Sequence, residues 1–409
     1  MGRNRNFRVV DKNERPGKVT KFQQMPNNNK SRPEKKKKRK IKKKTFLYLA
    51  AVVMAVVVGG GVYNNFHTFE EFEVLETHEN KKAGANHFRR FADGVLKYSA
   101  DGMTFINNKG DEVWNYSYQI KNSELTFYYD ECGAVYDKGG NDIFVFDKKG
   151  SKGNVKTSLP IEKASVSSQG IVSVILRNEP SSKIICYDLA GNVLIEFKSN
   201  LSGMGYPMDI AVAGDGKSLA VSYMYMDNGR VNSRVSYYDF SKKKASGKEY
   251  KVLEETYKDE MIPEVFFMGD DVFVAAGSKG LSFYTDAKKP ELLKKVKIEE
   301  EIKGVFNDKE NVGVIVKKEK GSVNEIRLYD KKGEQVMSCE FEGEVSEAKI
   351  RNGEIIAYGG KECRIFNKSG VLRFSGETEE NIIEVYPASG VNKYVIISAG
   401  GGEIVRLTK

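Results

Sequence analysis

Beyond residue 86 apolar and polar positions alternate in short runs, and most runs end at Asp, Asn or Gly. A period of two predicts β-strands rather than helices. The runs recur as a unit. A strand-like run ends in Asp or Asn, a Lys/Gly turn follows, and a second run follows the turn. Thr104-Phe105-Ile106-Asn107 precedes Asn108-Lys109-Gly110, and Phe144-Val145-Phe146-Asp147 precedes Lys148-Lys149-Gly150. Arg327-Leu328-Tyr329-Asp330 likewise precedes Lys331-Lys332-Gly333. The Asp/Asn positions 107, 147, 188, 239, 286, 330 and 367 are spaced 40, 41, 51, 47, 44 and 37 apart. A β-type period of about 40–50 residues predicts propeller blades. The Asp or Asn bonds to its own turn backbone, and the Gly supplies positive φ.

Each period holds four strands, A to D, with the Asp turn joining C to D. The last period supplies Ile382–Val385, Tyr394–Ser398 and Glu403–Leu407, a C strand without its D strand. At the other end, Phe69–Glu76 reads as extended. Pairing it with Glu403–Leu407 would close the ring and remove an open edge. The expected fold is all-β, an eight-bladed β-propeller over residues 69–409, with seven blades as the alternative.

One segment breaks the pattern. Phe46 to Tyr63 is a run of 18 residues without a charge. As a helix it measures about 27 Å, close to the hydrocarbon thickness of a bilayer. A transmembrane helix is therefore expected at 45–63, with a linker at 64–68. Lys42 to Lys44 precede it and Glu70 and Glu71 follow it. That asymmetry places the N-terminus in the cytoplasm and the body outside. Ala51, Ala55 and Gly59 recur every four residues, a small-residue face suited to weak homodimerisation.

Charge sharpens this division. Residues 1–44 hold 18 Lys and Arg against three acids, a net of +15, so the whole-chain +10 leaves −5 for the rest. The tail is too polar to fold alone and is expected to be disordered. Its polybasic run reads as a topology signal lying on anionic inner-leaflet lipid, not as a nucleic-acid site.

Candidate chemistry is sparse. The histidines are His67, His78 and His87, so a Ser-His-Asp or Cys-His site, or His-ligated zinc, is excluded from the body beyond residue 87. Gly216-Lys217-Ser218 lacks the earlier Gly of a phosphate loop, which is Ala211 here, and Ser99-Ala100-Asp101-Gly102 reads as a hairpin turn. Cys132, Cys186, Cys339 and Cys363 lack metal-ligand spacing. Cys186 and Cys363 read as buried thiols, and a Cys339–Cys363 bridge is left open. No metal and no cofactor are expected. The main candidate surface is Tyr223, Met224, Tyr225, Met226 and Arg230, placed in the B–C loop of blade 4. A second is a basic face built by the C–D turns: Lys109, Lys148, Lys149, Lys242, Lys243, Lys244, Lys288, Lys289, Lys331, Lys332 and Lys368.

Lys109-Gly110-Asp111-Glu112-Val113-Trp114 and the Tyr-Asp-x-x-Gly turns resemble quinoprotein-type propeller repeats. Asp215-Gly216-Lys217-Ser218-Leu219-Ala220 resembles the strand turn of WD-repeat propellers. Residues 46–409, most closely from Gly205 to Tyr223, resemble a family of uncharacterised Gram-positive membrane proteins with one span and an extracytoplasmic propeller. The resemblance implies fold and topology and no activity. The expected function is a non-catalytic binding or scaffold module at the cell envelope, for a protein or glycan partner. The alternatives are a carboxylate-based glycan hydrolase or lyase and an envelope signalling receptor.

Overall fold

The computed structural model describes residues 43–79, 87–200, 203–241, 250–285, 289–318 and 323–409. The basic tail therefore falls outside the described residues, apart from Lys43 and Lys44. These two begin a helix, α1 (Lys43–Phe66), that is longer at both ends than the apolar run. Helical hydrogen bonding continues through flanking polar residues, so the apolar boundary does not set the helical one. Side chains at 43–46, 49, 57, 62, 64 and 65 lie outside the description. Among the described residues no helix is long and apolar enough to cross a membrane. The chain divides into two units, 1–59 and 60–409.

The second unit is an eight-bladed propeller of four-stranded antiparallel sheets. The first strand, β1 (Glu71–Glu79), belongs to the last blade. Blade 1 is β2 (His87–Phe91), β3 (Gly94–Ser99), β4 (Gly102–Asn107) and β5 (Glu112–Ser117). Blade 2 is β6 (Ser123–Tyr128), β7 (Cys132–Asp137), β8 (Asp142–Asp147) and β9 (Gly150–Lys156). Blade 3 is β10 (Ile161–Val166), β11 (Val172–Asn178), β12 (Ser181–Tyr187) and β13 (Val193–Asn200). Blade 4 is β14 (Tyr206–Val212), β15 (Ser218–Asp227), β16 (Arg230–Asp239) and β17 (Lys251–Tyr257). Blade 5 is β18 (Glu264–Met268), β19 (Val272–Gly277), β20 (Gly280–Thr285) and β21 (Leu292–Lys297). Blade 6 is β22 (Glu301–Asn307), β23 (Asn311–Lys317), β24 (Val323–Asp330) and β25 (Gln335–Glu342). Blade 7 is β26 (Glu347–Arg351), β27 (Glu354–Gly359), β28 (Glu362–Asn367) and β29 (Leu372–Glu377). Blade 8 joins β30 (Ile382–Pro387), β31 (Lys393–Ser398) and β32 (Gly401–Thr408) to β1.

The repeated Asp turn does what its chemistry requires. Asn107 Oδ1 accepts from the amides of Lys109 and Asp111 at 2.9 and 3.0 Å. Asp188 does the same for Ala190 and Asn192, Asp330 for Lys332 and Glu334, and Asn367 for Ser369 and Val371. Gly191 and Gly370 follow at φ of 82° and 80°, where a β-carbon would be strained. A β-bulge at the start of the D strand accompanies the turn in blades 1 to 7. It bends the outer strand and raises its twist.

Seven apolar clusters weld neighbouring blades, from the blade 1–2 cluster around Phe91, Phe105 and Phe146 to the blade 7–8 cluster around Phe374 and Val405. The B strands of blades 2 to 7 are therefore buried on both faces, as in Val272–Gly277. Each Val, Ile or Phe so buried contributes about 1.5–3 kcal/mol. No such cluster joins blade 8 to blade 1 among the described residues.

The last blade is completed from the N-terminal side. β1 runs antiparallel to β32 from Glu71 opposite Thr408 to Glu79 opposite Gly401. The preceding residues are stitched to blade 7. The Phe69 amide donates to Arg373 O at 2.7 Å, and Thr68 Oγ1 donates to Leu372 O at 2.9 Å. The Phe69 ring is buried under the Arg373 guanidinium. The chain thus enters on the face that carries the A–B and C–D turns. Deleting residues 70–79 leaves β32 an open edge. The propeller's melting temperature is expected to fall by about 10 °C or more, with aggregation. Differential scanning calorimetry checks this, and an unchanged melt contradicts the closure.

Candidate functional site

The eight A strands line a central channel with a cavity of about 850 Å³. Charged side chains project into it and most pair with one another, whereas Arg351 of β26 has no acidic partner among the described residues and donates to Ile350 O at 2.9 Å. Glu384 of β30, 1% exposed, accepts from Lys349 of β26 and from Arg89 of β2 at 3.3 Å. Glu347 lies 3.4 Å from Lys349 and 3.6 Å from Arg89. The Tyr358 hydroxyl accepts from Lys349 Nζ at 2.9 Å and donates to Glu347 at 3.1 Å. Two cations thus face two anions. Burial pushes the Lys349 ammonium down, and Glu384 opposes the shift. Across the channel Lys163 meets Asp209 at 2.6 Å, and Asp209 also accepts from the Val265 amide at 2.8 Å. Burial pushes the Asp209 carboxyl up, and Lys163 holds it back.

At the entry face the A–B turn of blade 2 reaches across the channel. Tyr128 donates to Gly269 O or Asp270, both at 3.1 Å, on blade 5. Tyr129 donates to Phe267 O and accepts from Asn307 of blade 6 at 3.1 Å. The Lys309 ammonium lies over both rings, 5.7 and 5.5 Å from their centroids, and pairs with Glu131. Asp130 next to them takes both oxygens to Arg90 Nη1, at 2.8 and 2.9 Å. Tyr129 has φ of 49°, uncommon for an aromatic residue, and this conformation turns its ring inward. No spacing in the sequence marks this arrangement. A Tyr-Tyr pair at a turn was its only trace.

The blade 4 candidates sit otherwise than expected. The segment is a hairpin of two ten-residue strands, not a loop. Asn228 and Gly229 have φ of 48° and 75° and form the two-residue turn that matches strand twist. The Asn-Gly dipeptide was the available signal. Tyr223 is wholly buried and hydrogen-bonds Tyr238 at 3.1 Å, so it is core. Met224 and Tyr225 are half-buried, with Arg234 over the Tyr225 ring at 5.0 Å. Met226 is 63% exposed at the tip. Arg230 pairs with Asp259 at 2.9 Å, and Arg234 donates to Gly203 O at 2.7 Å, which braces the hairpin against the linkers on both sides.

Of the lysine face, Lys242, Lys243, Lys244 and Lys288 lie outside the described residues. Lys109, Lys148, Lys149, Lys289, Lys332 and Lys368 are exposed. Lys331 is engaged by Asp271 at 2.9 Å and Glu310 at 3.3 Å. Those acids belong to A–B turns on the same face, as do Asp130, Glu131 and Asp215. The face is therefore of mixed charge, since both turn types emerge on one side of a propeller. All four cysteines are free, so the Cys339–Cys363 bridge is absent. Burial pushes the thiols of Cys186, Cys339 and Cys363 up to about 12 and that of Cys132 to about 11.

A family model described as a family of unknown function, DUF5711, matches residues 65–407. No curated protein sequence matches significantly. Among solved structures the chain is similar to BamB from Moraxella catarrhalis at 12% identity and a TM-score of 0.50, over 82% of this chain and 99% of that one. It is also similar to Sqt1 from Chaetomium thermophilum at 10% identity and a TM-score of 0.52, over 82% and 98%. At these identities the likeness is one of fold, and it agrees with the propeller resemblance of the Tyr-Asp-x-x-Gly turns.

Glu384→Gln leaves Lys349 and Arg89 without their buried partner and is expected to cost about 3–5 kcal/mol. Adding Lys349→Met should restore more than half of the loss, by chemical denaturation. A second test concerns Glu325 of β24. Burial works to raise its carboxyl, but hydrogen bonds from Arg327, Ser338 and Lys318 prevail and hold it at about 2, below the usual 4.5. Its stabilisation is therefore full above about pH 4.5 and lost as pH falls toward 2. Glu325→Gln should flatten the acid limb of stability against pH in that window.

Proposed function

We propose a function for a chain that belongs to the DUF5711 family of unknown function: it is a non-catalytic binding or scaffold module, tethered to the cell membrane with its propeller outside. One observation carries the binding half. Most of the channel's charges are paired with one another, and Tyr128 and Tyr129 reach across its entry end to blades 5 and 6. The Glu347 and Glu384 carboxylates are held by Arg89 and Lys349. Contact chemistry is left to the rim, and there the blade 4 hairpin projects Tyr225 and Met226 from a braced base. Aromatic and Met side chains on a rigid support suit a protein or glycan partner.

The tether rests on the sequence of α1. Its 18-residue uncharged run is apolar on every side, and the described Leu47, Val52, Val53, Met54, Val56 and Val58 side chains are exposed. A helix apolar all round belongs in an apolar medium. The +15 tail before it favours a cytoplasmic N-terminus.

External protease on intact, wall-stripped cells should degrade the propeller, and full protection of residues 69–409 contradicts the topology. Proximity labelling in the native cell tests the rim. The double variant Tyr225→Ala, Met226→Asp should keep the parent melting temperature and lose labelled partners. An unchanged labelling profile contradicts the hairpin's role.

A further inference from the structure

We propose that the seam between blade 8 and blade 1 is a binding slot for a single-chain amphiphile with an aliphatic tail and a carboxylate head. Among the described residues every other pair of neighbouring blades shares an apolar cluster, and this pair does not. The B strands record the difference. Those of blades 2 to 7 are buried on both faces, whereas β3 and β31 mix buried with half-buried positions. Val95 and Lys97 of β3 and Val395 and Ile397 of β31 face a cavity of about 720 Å³. That volume lies in the range of small-molecule pockets.

An aliphatic stretch of wall comes from Val95 and Ile106 of blade 1 and Val395, Ile397 and Ile404 of blade 8, flanked by Phe88 and Tyr386, and the rest of the lining is polar, including His78, Asn108 and Ser389. Gly402 lines the slot too, and a β-carbon there would meet nothing within 4 Å. The blades are held apart rather than collapsed together. The Arg89–Glu384 pair bridges them at the channel, and Asn108 Nδ2 donates to Ser389 Oγ at 3.1 Å at the entry face.

The chemistry of the walls selects the occupant. β3 is already paired with β2 and β4, and β31 with β30 and β32. The walls thus offer side chains and no free backbone partners. A peptide would bury unsatisfied amides there, and an aliphatic chain has none to satisfy. Lys97 supplies the head contact. It is half-buried on the slot side of β3 and has no hydrogen-bond or ion-pair partner among the described residues. The other charged groups lining the slot are Glu76, Asp93, Lys109 and Arg90, and Arg90 is held by Asp130.

The test uses the purified full chain, held in an amphipathic polymer, with a diazirine-bearing palmitate as the probe. Irradiation should label peptides of β3 and β31, and the methyl ester of the probe should label them about fivefold less. Lys97→Gln should erase the preference for acid over ester. Gly402→Leu, which fills the slot, should lower labelling about tenfold at an unchanged or higher melting temperature. Should that variant melt lower, Val95→Phe fills the slot from the other wall under the same expectation. Labelling spread over the surface, or unaffected by filling the slot, overturns the proposal. Because the slot lies within the propeller, these outcomes are independent of which side of a membrane the propeller occupies.

Discussion

Seven blades draw their four strands from one stretch of chain, and the eighth borrows its outer strand from the N-terminal side. The backbone ladder from Glu71 opposite Thr408 to Glu79 opposite Gly401 is the contact on which the ring depends. Each interblade cluster is a neighbour-to-neighbour contact, and such a series cannot close itself. The ladder converts an open arc into a ring and covers β32, which would otherwise present free backbone groups to solvent. Phe69 and Thr68 extend the tie to blade 7. The outer edges of the last two blades are therefore held by the same short segment that follows α1.

Closure by β1 leaves the inner sheets of blades 8 and 1 joined by polar contacts in place of an apolar cluster. Arg89 and Glu384 meet at the channel, and Asn108 and Ser389 at the rim. Polar contacts hold two surfaces at a set distance without drawing them into close packing, so a gap persists where other blade pairs interdigitate. The channel follows a similar economy of charge. Most of its ion pairs join different blades, as Arg89 and Lys349 do with Glu384 and Lys163 does with Asp209, and their pairing offsets the cost of taking them out of water. Stability and vacancy thus occupy different interfaces of one ring.

Much of this was legible in the sequence, and the limits are physical. The Asp-x-x-Gly turns were readable because their geometry is local: Asn107, Asp188, Asp330 and Asn367 each bond to amides two and four residues on. Their spacing gave blade size and number. The blade 4 hairpin was read as a loop because Tyr-Met-Tyr-Met carries no clear period, and the weight of Asn228-Gly229 was missed. Tyr223 looked like a surface aromatic and is core, since strand pairing decides its side and the neighbouring blade covers it. The Tyr128–Tyr129 pair joins blades 2, 5 and 6, and such long-range contacts leave no mark on local spacing. The seam had one faint sign: β3 carries Lys97 where the B strand of blade 5 reads Val-Phe-Val-Ala-Ala-Gly.

The central claim is a ring that β1 closes and that is soft at one interface. Native-state amide hydrogen exchange of the full chain, resolved by peptide, tests it most directly. The account predicts that β1 and β32 are protected together and that β3 and β31 exchange measurably faster than the B strands of blades 2 to 7. Rapid exchange of β1 as an unpaired strand, or β3 and β31 as slow as the rest, would contradict it.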